Sequence, residues 1–245
     1  MALSAGLAGI EWSATGHAPP GALKRAAEIR SMCQGEAIRV VSYGSYFYAG
    51  TGKDFLPTLA TALALNAPLI RVWAGPRGVS PDQASAEAWT RCVKDLQLAC
   101  DAAAEHNIAI GLEFHRLTLT EGDESTLRLL ADAGRKNLRT YWQPLPGVTA
   151  EIAKRQLRAL TPHLAHLHVF QWDEDLQRHP LFKGEAFWID VLRTQVSASA
   201  RECWALLEFL PGDDPCLLAT EARALKVWLE QIDGSRSSRA AILPT

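Results

Sequence analysis

The sequence predicts an α/β protein, a parallel (β/α) barrel, from three observations. Short β-rich apolar runs recur along its 245 residues. Amphipathic stretches with helix-capping residues separate them. The runs follow one another with no long interruption, which favours strands closing into a barrel over an open sheet.

The runs are Ala8–Trp12, Ile38–Tyr43, Leu69–Trp73, Ile108–Phe114, Leu138–Gln143, Leu164–Phe170 and Cys203–Phe209. Helix signals lie between them. Ser80-Pro81-Asp82-Gln83 offers an N-cap, a first-turn proline and a glutamine able to close a capping box. Behind it, Ala88, Cys92, Leu96, Ala99 and Ala103 recur at helical spacing. Gly134 is expected to stop the helix carrying Leu127 and Leu130. Asp214-Pro215 opens the last helix, with Leu218, Ala222, Leu225 and Leu229 as its buried stripe and Gly234 as its stop. A barrel of this kind has eight strands, and the runs supply one fewer. Met1–Ala8 has room for a helix end only, so the first strand is expected to be missing, its gap filled by a partner or by the tail. Unfilled, that gap leaves two sheet edges unpaired, from which a homodimer is expected. Residues 1–234 read as a single barrel domain and 235–245 as a flexible C-terminal tail.

Composition excludes several function classes. Apolar residues make up 48%, charged residues 21%, and the net charge is −2. No basic stripe is present to neutralise phosphates, so no nucleic-acid partner is expected. The five scattered cysteines form no CxxC pair and fit a reduced, cytoplasmic protein. No run approaches the roughly 20 apolar residues of a membrane span, and no signal peptide is recognisable.

The chemistry is expected at the C-terminal ends of the strands. Glu113, Gln143, His168 and Glu208 each stand close to such an end. The strand period of two puts Glu113 and His115 on one face, His166 and His168 on one face, and Trp204, Leu206 and Glu208 on one face. Burying acids and imidazoles at one rim is costly unless they are paired or bound to an ion.

These runs carry a resemblance. Gly111-Leu112-Glu113-Phe114-His115 is similar to the "lEnH" strand of the xylose isomerase-like TIM-barrel superfamily of sugar phosphate isomerases and epimerases. His166-Leu167-His168-Val169 resembles its "HvHvkD" strand and Leu206-Leu207-Glu208-Phe209 its closing "slE" strand. Ile70-Arg71-Val72-Trp73-Ala74-Gly75 resembles "R-v-x-x-G", and Gly9-Ile10-Glu11-Trp12 the "GvE" strand that is second in the family. The resemblance implies a metal-dependent enzyme acting on a small carbohydrate. Its ligands to Mn²⁺, Mg²⁺ or Zn²⁺ would be Glu113, Gln143, His168 and Glu208, and Glu113 and Glu208 would also exchange the proton next to a carbonyl. Gln143 stands where the family has Asp, Pro146 where it has His, and Gln171 where an Asp follows the histidine motif. A glutamine ligates without bringing charge.

Substrate contacts are expected from His115, Arg178, Arg71, Trp73 and His166. Arg71 reads equally well as an ion-pair partner inside the barrel, and Arg178 as a solvated loop residue. Tyr43, Tyr46, Phe47 and Tyr48 read as an aromatic pocket-lining loop, and His17 as a loop residue near the mouth. Two alternatives stand beside isomerisation: an inosose dehydratase-type lyase, which begins with the same proton abstraction, and a metal-poor, non-catalytic sugar-binding barrel. An AP endonuclease needs further histidines and aspartates that these strands lack.

Overall fold

The computed structural model describes residues 1–198, 202–232 and 240–242. The elements run β1 (Gly9–Ser13), α1 (Leu23–Gly35), β2 (Arg39–Ala49), α2 (Leu56–Leu65), β3 (Leu69–Ala74), α3 (Ala86–Ala104), β4 (Ala109–Leu112), α4 (Asp123–Ala133), β5 (Leu138–Trp142), α5 (Ala150–Leu160), β6 (Leu164–Val169), β7 (Gln171–Trp172), β8 (Arg178–His179), α6 (Glu185–Ala198), β9 (Trp204–Leu207), α7 (Leu218–Ile232) and β10 (Ala240–Ile242). This is the expected α/β class, a parallel barrel with helices between its strands. Every one of the seven predicted runs overlaps a strand.

Contacts divide the chain into two units. The unit Glu11–Tyr141 holds β2, β3, β4 and most of β5 side by side and parallel. Arg71 pairs with Gly111 in register, and Gly111 with Arg139. The helices of this unit form where the sequence caps them. Ser85 caps α3, its Oγ accepting from Ala88 N–H at 3.2 Å. Cys92, Leu96, Ala99 and Ala103 are buried at the expected helical spacing. Ser80–Gln83, expected to open that helix, is instead a separate turn: Gln83 N–H donates to Ser80 O at 3.1 Å and Ser80 N–H to Gln83 Oε1 at 3.2 Å. Only the glutamine half of a capping box is there, since Ser80 Oγ donates to Asp82 instead of accepting from Gln83 N–H, and no helix follows until Ala86. Gly134 ends α4 in the left-handed conformation, as expected, its N–H returning to Leu130 O. β2 extends through Tyr46, Phe47 and Tyr48, so these aromatics belong to a strand, not to a loop.

The second unit, Met1–Ile10 with Trp142–Thr245, orders its strands β1-β10-β9-β6. His166 pairs with Trp204 and His168 with Leu206. Asp214 Oδ1 accepts from Cys216 N–H at 2.9 Å, opening the single turn that leads into α7. β10 pairs Ala241 with Leu206, and its Ile242 pairs with Ile10. The strand missing from the predicted runs is thus supplied by the chain's own tail, and the unpaired edges that motivated a homodimer carry partners. Gly234 and the rest of the expected flexible tail, apart from Ala240–Ile242, lie outside the described residues. Among the described residues no helix is long and apolar enough to cross a membrane.

Candidate active site

In the second unit, strands β5, β6 and β9 end in Trp142, Val169 and Leu207, next to the residues expected to carry chemistry. The pleat turns His168 to the side opposite Leu167 and Val169, and Glu208 N–H donates to Val169 O at 3.0 Å, which brings the end of β9 beside that of β6. Three of the predicted residues meet there. His168 Nδ1 lies 2.7 Å from Gln143 Oε1 and 3.4 Å from Glu208 Oε2. Gln143 is 5% exposed and His168 fully buried, whereas the Glu208 side chain is 13% exposed. An amide oxygen, an imidazole nitrogen and a carboxylate oxygen therefore converge, with the carboxylate the most solvent-accessible of the three.

All three atom types ligate divalent cations. Two ligands at about 2.1 Å from an octahedral ion stand about 3.0 Å apart, so the observed spacings match those of one coordination sphere. The donors fit Mg²⁺, Mn²⁺ or Zn²⁺, with a single carboxylate charge between them. Among the described residues no three His, Cys, Asp or Glu side chains converge for such an ion, so a third donor beside His168 and Glu208 would be the Gln143 amide.

Glu113 has a different setting. It lies in the Glu11–Tyr141 unit, 2% exposed, with its Oε2 held by Arg71 Nη1. Arg71 Nε also pairs with Glu11 Oε1 at 2.8 Å. Of the two readings of Arg71, the interior ion-pair partner is the one its contacts describe. Glu11 Oε2 accepts from Ser42 Oγ at 2.6 Å and from Tyr141 OH at 2.7 Å. Burial, and then the Glu11 charge, push the Tyr141 phenol well above its usual range.

The remaining predicted residues are placed as follows. His115 Nδ1 donates to Arg116 O at 2.6 Å, and burial lowers its pKa. Trp73 packs 4.8 Å from His115 and stacks on Tyr48 and Tyr46 at 5.4 and 6.2 Å. Burial raises the Tyr48 phenol. Tyr43 is withdrawn from this aromatic group, its hydroxyl donating to Ala18 O at 2.7 Å, and Phe47 packs on Phe55. His17 packs edge-on against Trp12. His166 Nδ1 accepts from Trp204 N–H at 3.3 Å, a backbone-tying role within the second unit. Arg178 pairs with Asp213 and lies 4.9 Å over the Phe209 ring, so it is neither fully solvated nor placed by any contact with Gln143, His168 or Glu208.

A cleft of about 730 Å³ opens in the second unit, lined by Pro144, Pro146, Phe170, Trp172, Lys183 and Phe187 among others. Its wall begins at the residue after Gln143 and includes Phe170, two beyond His168. The short β7–β8 hairpin contributes Trp172 and is braced by His179 Nε2 against Asp173 Oδ2 at 2.7 Å, a bond that lowers the Asp173 pKa. Sequence reasoning did not single out this cleft, nor Glu11, Ser42 and Tyr141. Glu11 was visible only as the acid of the "GvE" run, and the close approach of Tyr141 was signalled only by Gly111.

A family profile described as "xylose isomerase-like TIM barrel" matches residues 1–228. Comparison with curated proteins finds no match. Among solved structures, the probable 3-DHS dehydratase AsbF of Bacillus anthracis superposes with a TM-score of 0.75 at 21% identity, covering 92% of this chain and 90% of that one. An L-ribulose 3-epimerase gives 0.70 at 12% identity, covering 94% and 86%. A xylose isomerase-like TIM barrel protein from Mycobacterium smegmatis, in complex with magnesium, gives 0.66 at 12% identity, covering 95% and 86%. These likenesses establish the fold.

Proposed function

Because the chain belongs to the xylose isomerase-like TIM barrel family, we propose that it is an isomerase or epimerase. Its substrate is a small carbohydrate, sugar phosphate or related polyol ketone, and it moves a proton at the carbon beside a carbonyl. The observation that carries this reading is the meeting of Gln143, His168 and Glu208 within 2.7 and 3.4 Å at adjoining strand ends.

Glu208 is the acid/base in this reading. Its carboxylate takes the proton from carbon and the electron pair moves onto the carbonyl oxygen; a proton then comes back either to the opposite face of that carbon from a second acid, which epimerises it, or to the neighbouring carbon as the hydroxyl proton passes to the former carbonyl oxygen, which isomerises it. Glu113 is the second carboxylate, by the family pattern. Gln143 Oε1 can only accept a hydrogen bond, so without an ion the imidazole proton lies on Nδ1, and it would have to leave for Nδ1 to become a ligand. Residues Gln143, His168 and Glu208 would hold a divalent ion. Such an ion supplies Lewis-acid polarisation of the carbonyl when bound. The magnesium described for the Mycobacterium smegmatis neighbour supports that part of the proposal.

Proton exchange with solvent tests the reaction. D-fructose and L-ribulose, incubated with the chain and Mn²⁺ in D₂O, are expected to lose proton NMR intensity at the carbon beside the carbonyl. Glu208→Gln is expected to lose this by at least about 100-fold, the usual scale of general acid–base catalysis. Elimination of water in place of exchange assigns the lyase chemistry. Saturable sugar binding without exchange, in the wild type, assigns a binding barrel and ends the enzyme reading.

A further inference from the structure

Glu11 is the hub of the Glu11–Tyr141 unit. Its carboxylate is fully buried, accepts from Ser42 Oγ at 2.6 Å and Tyr141 OH at 2.7 Å, and forms an ion pair with Arg71, Oε1 lying 2.8 Å from Nε. Arg71 then holds Glu113 through Nη1. Two carboxylates share one guanidinium, and all of these residues are at most 6% exposed. The space for them is made by two glycines. A Cβ on Gly44 would stand 2.6 Å from Glu11 Oε1 and 2.8 Å from Arg71 Nη2, and one on Gly111 would stand 2.5 Å from Tyr141 Cε2.

Buried ion pairs commonly contribute less to stability than apolar packing of the same volume. An arrangement that needs two side-chain-free positions, two neutral donors and three charges therefore has a poor rationale as a stability device. What it does accomplish is orientation. Ser42 and Tyr141 fix one oxygen of Glu11, the other oxygen holds the Arg71 guanidinium by charge at 2.8 Å from Nε, and Nη1 of that planar group donates to Glu113.

We propose that Glu11 is a positioning residue for Glu113, acting through Arg71. Arg71 is on this account the resident counter-ion of Glu113, and Ser42 and Tyr141 are the groups that keep Glu11 in place. The proposal rests on the reading of Glu113 as a proton-transferring carboxylate.

The test combines thermal unfolding with the D₂O exchange assay on whichever of D-fructose and L-ribulose the wild type exchanges. Glu11→Gln and Glu113→Gln each remove one of these two carboxylates from Arg71, and the double variant removes both. The loss of melting temperature in the double variant is expected to exceed the sum of the single losses, and adding Arg71→Met is expected to restore part of it. Glu11→Gln should lower kcat by about 10- to 100-fold, the range seen when an orienting outer partner is removed, with KM within about twofold. Tyr141→Phe, which keeps the ring and loses only the hydroxyl, should lower kcat in the same direction by less, and it serves should Glu11→Gln fail to fold. Additive melting losses overturn the link through Arg71. Coupled melting losses with unchanged kcat overturn the positioning role and leave a structural network. A wild type that exchanges no proton ends the enzymatic reading and the positioning role with it, while the melting coupling still reports whether Arg71 joins the two glutamates.

Discussion

Replacing Gly44 by alanine adds one methyl group where the Glu11–Tyr141 unit has least room. The new carbon would lie 2.6 Å from Glu11 Oε1, 2.8 Å from Arg71 Nη2 and 3.2 Å from Glu11 Cδ. Ordinary contact begins near 3.4 Å, so the carboxylate oxygen has to move by about 0.8 Å. It cannot do so alone, because Ser42 and Tyr141 hold its sister oxygen. Overpacking of this size costs about 1–3 kcal/mol, and complete loss of a buried pair about 3–5 kcal/mol. Partial separation of Glu11 from Arg71 therefore predicts a loss of about 2–4 kcal/mol in urea unfolding, with unchanged m. At about 2–4 °C per kcal/mol for a chain of this length, the melting temperature should fall by about 4–16 °C. Gly35→Ala is the matched control. Gly35 sits at the end of α1 with nothing within 4 Å of its missing Cβ, and the same exchange there should stabilise by about 0.4–1 kcal/mol. If Gly44→Ala unfolds within about 0.5 kcal/mol of the wild type, the scale of an ordinary surface change, the network is slack and the reasoning about positioning fails.

Other expectations follow from single contacts. Glu221 is buried on α7, its Oε2 accepts from Leu181 N–H at 2.6 Å, and burial raises its pKa above the usual 4.5. The folded state then binds this proton more tightly than the unfolded chain, so stability falls as pH rises through the window just above 4.5 and is level beyond it. Glu221→Gln keeps an acceptor for Leu181 and should flatten that slope in melting scans from pH 4.5 upward; an unchanged slope would assign the dependence to other groups. Glu221→Leu removes the acceptor and should cost about 1–3 kcal/mol by urea titration. Arg178 pairs with Asp213, whose side chain is 61% exposed, so Arg178→Gln should change stability by less than about 1 kcal/mol. A drop in exchange activity with that variant, at unchanged melting temperature, would place Arg178 on the substrate.

The strand period carried much of this architecture before any coordinates. Alternation along Gly111–His115 and His166–Phe170 puts Glu113, and separately His168, on the side of its strand away from the apolar residues that pack on helices. His168 and Glu208 then meet with Gln143 as that pattern suggests. The partners of Arg71 were not legible in the same way. Glu11 and Glu113 come from strands far apart in sequence, and no local rule distinguishes an arginine that faces a carboxylate from one that faces a ligand. The start of α3 was misplaced because Ser80-Pro81-Asp82-Gln83 closes as a turn of its own, with Gln83 N–H on Ser80 O and Ser80 N–H on Gln83 Oε1, while the plainer Ser85 caps the helix itself. β2 was cut short at Tyr43 because the aromatic run after it includes Gly44 and Ser45, residues more common in turns. The strand at Ala240–Ile242 is three residues long, below the length at which a hydrophobic pattern can be read.

The claim that Gln143, His168 and Glu208 form one ion-binding reaction centre is tested most directly by Mn²⁺ titration, followed by electron paramagnetic resonance. The account predicts saturable binding of one ion by the wild type, weakened at least about tenfold in both His168→Ala and Glu208→Gln. Titration curves that coincide for the wild type and both variants, or a wild type that binds no Mn²⁺, would contradict it.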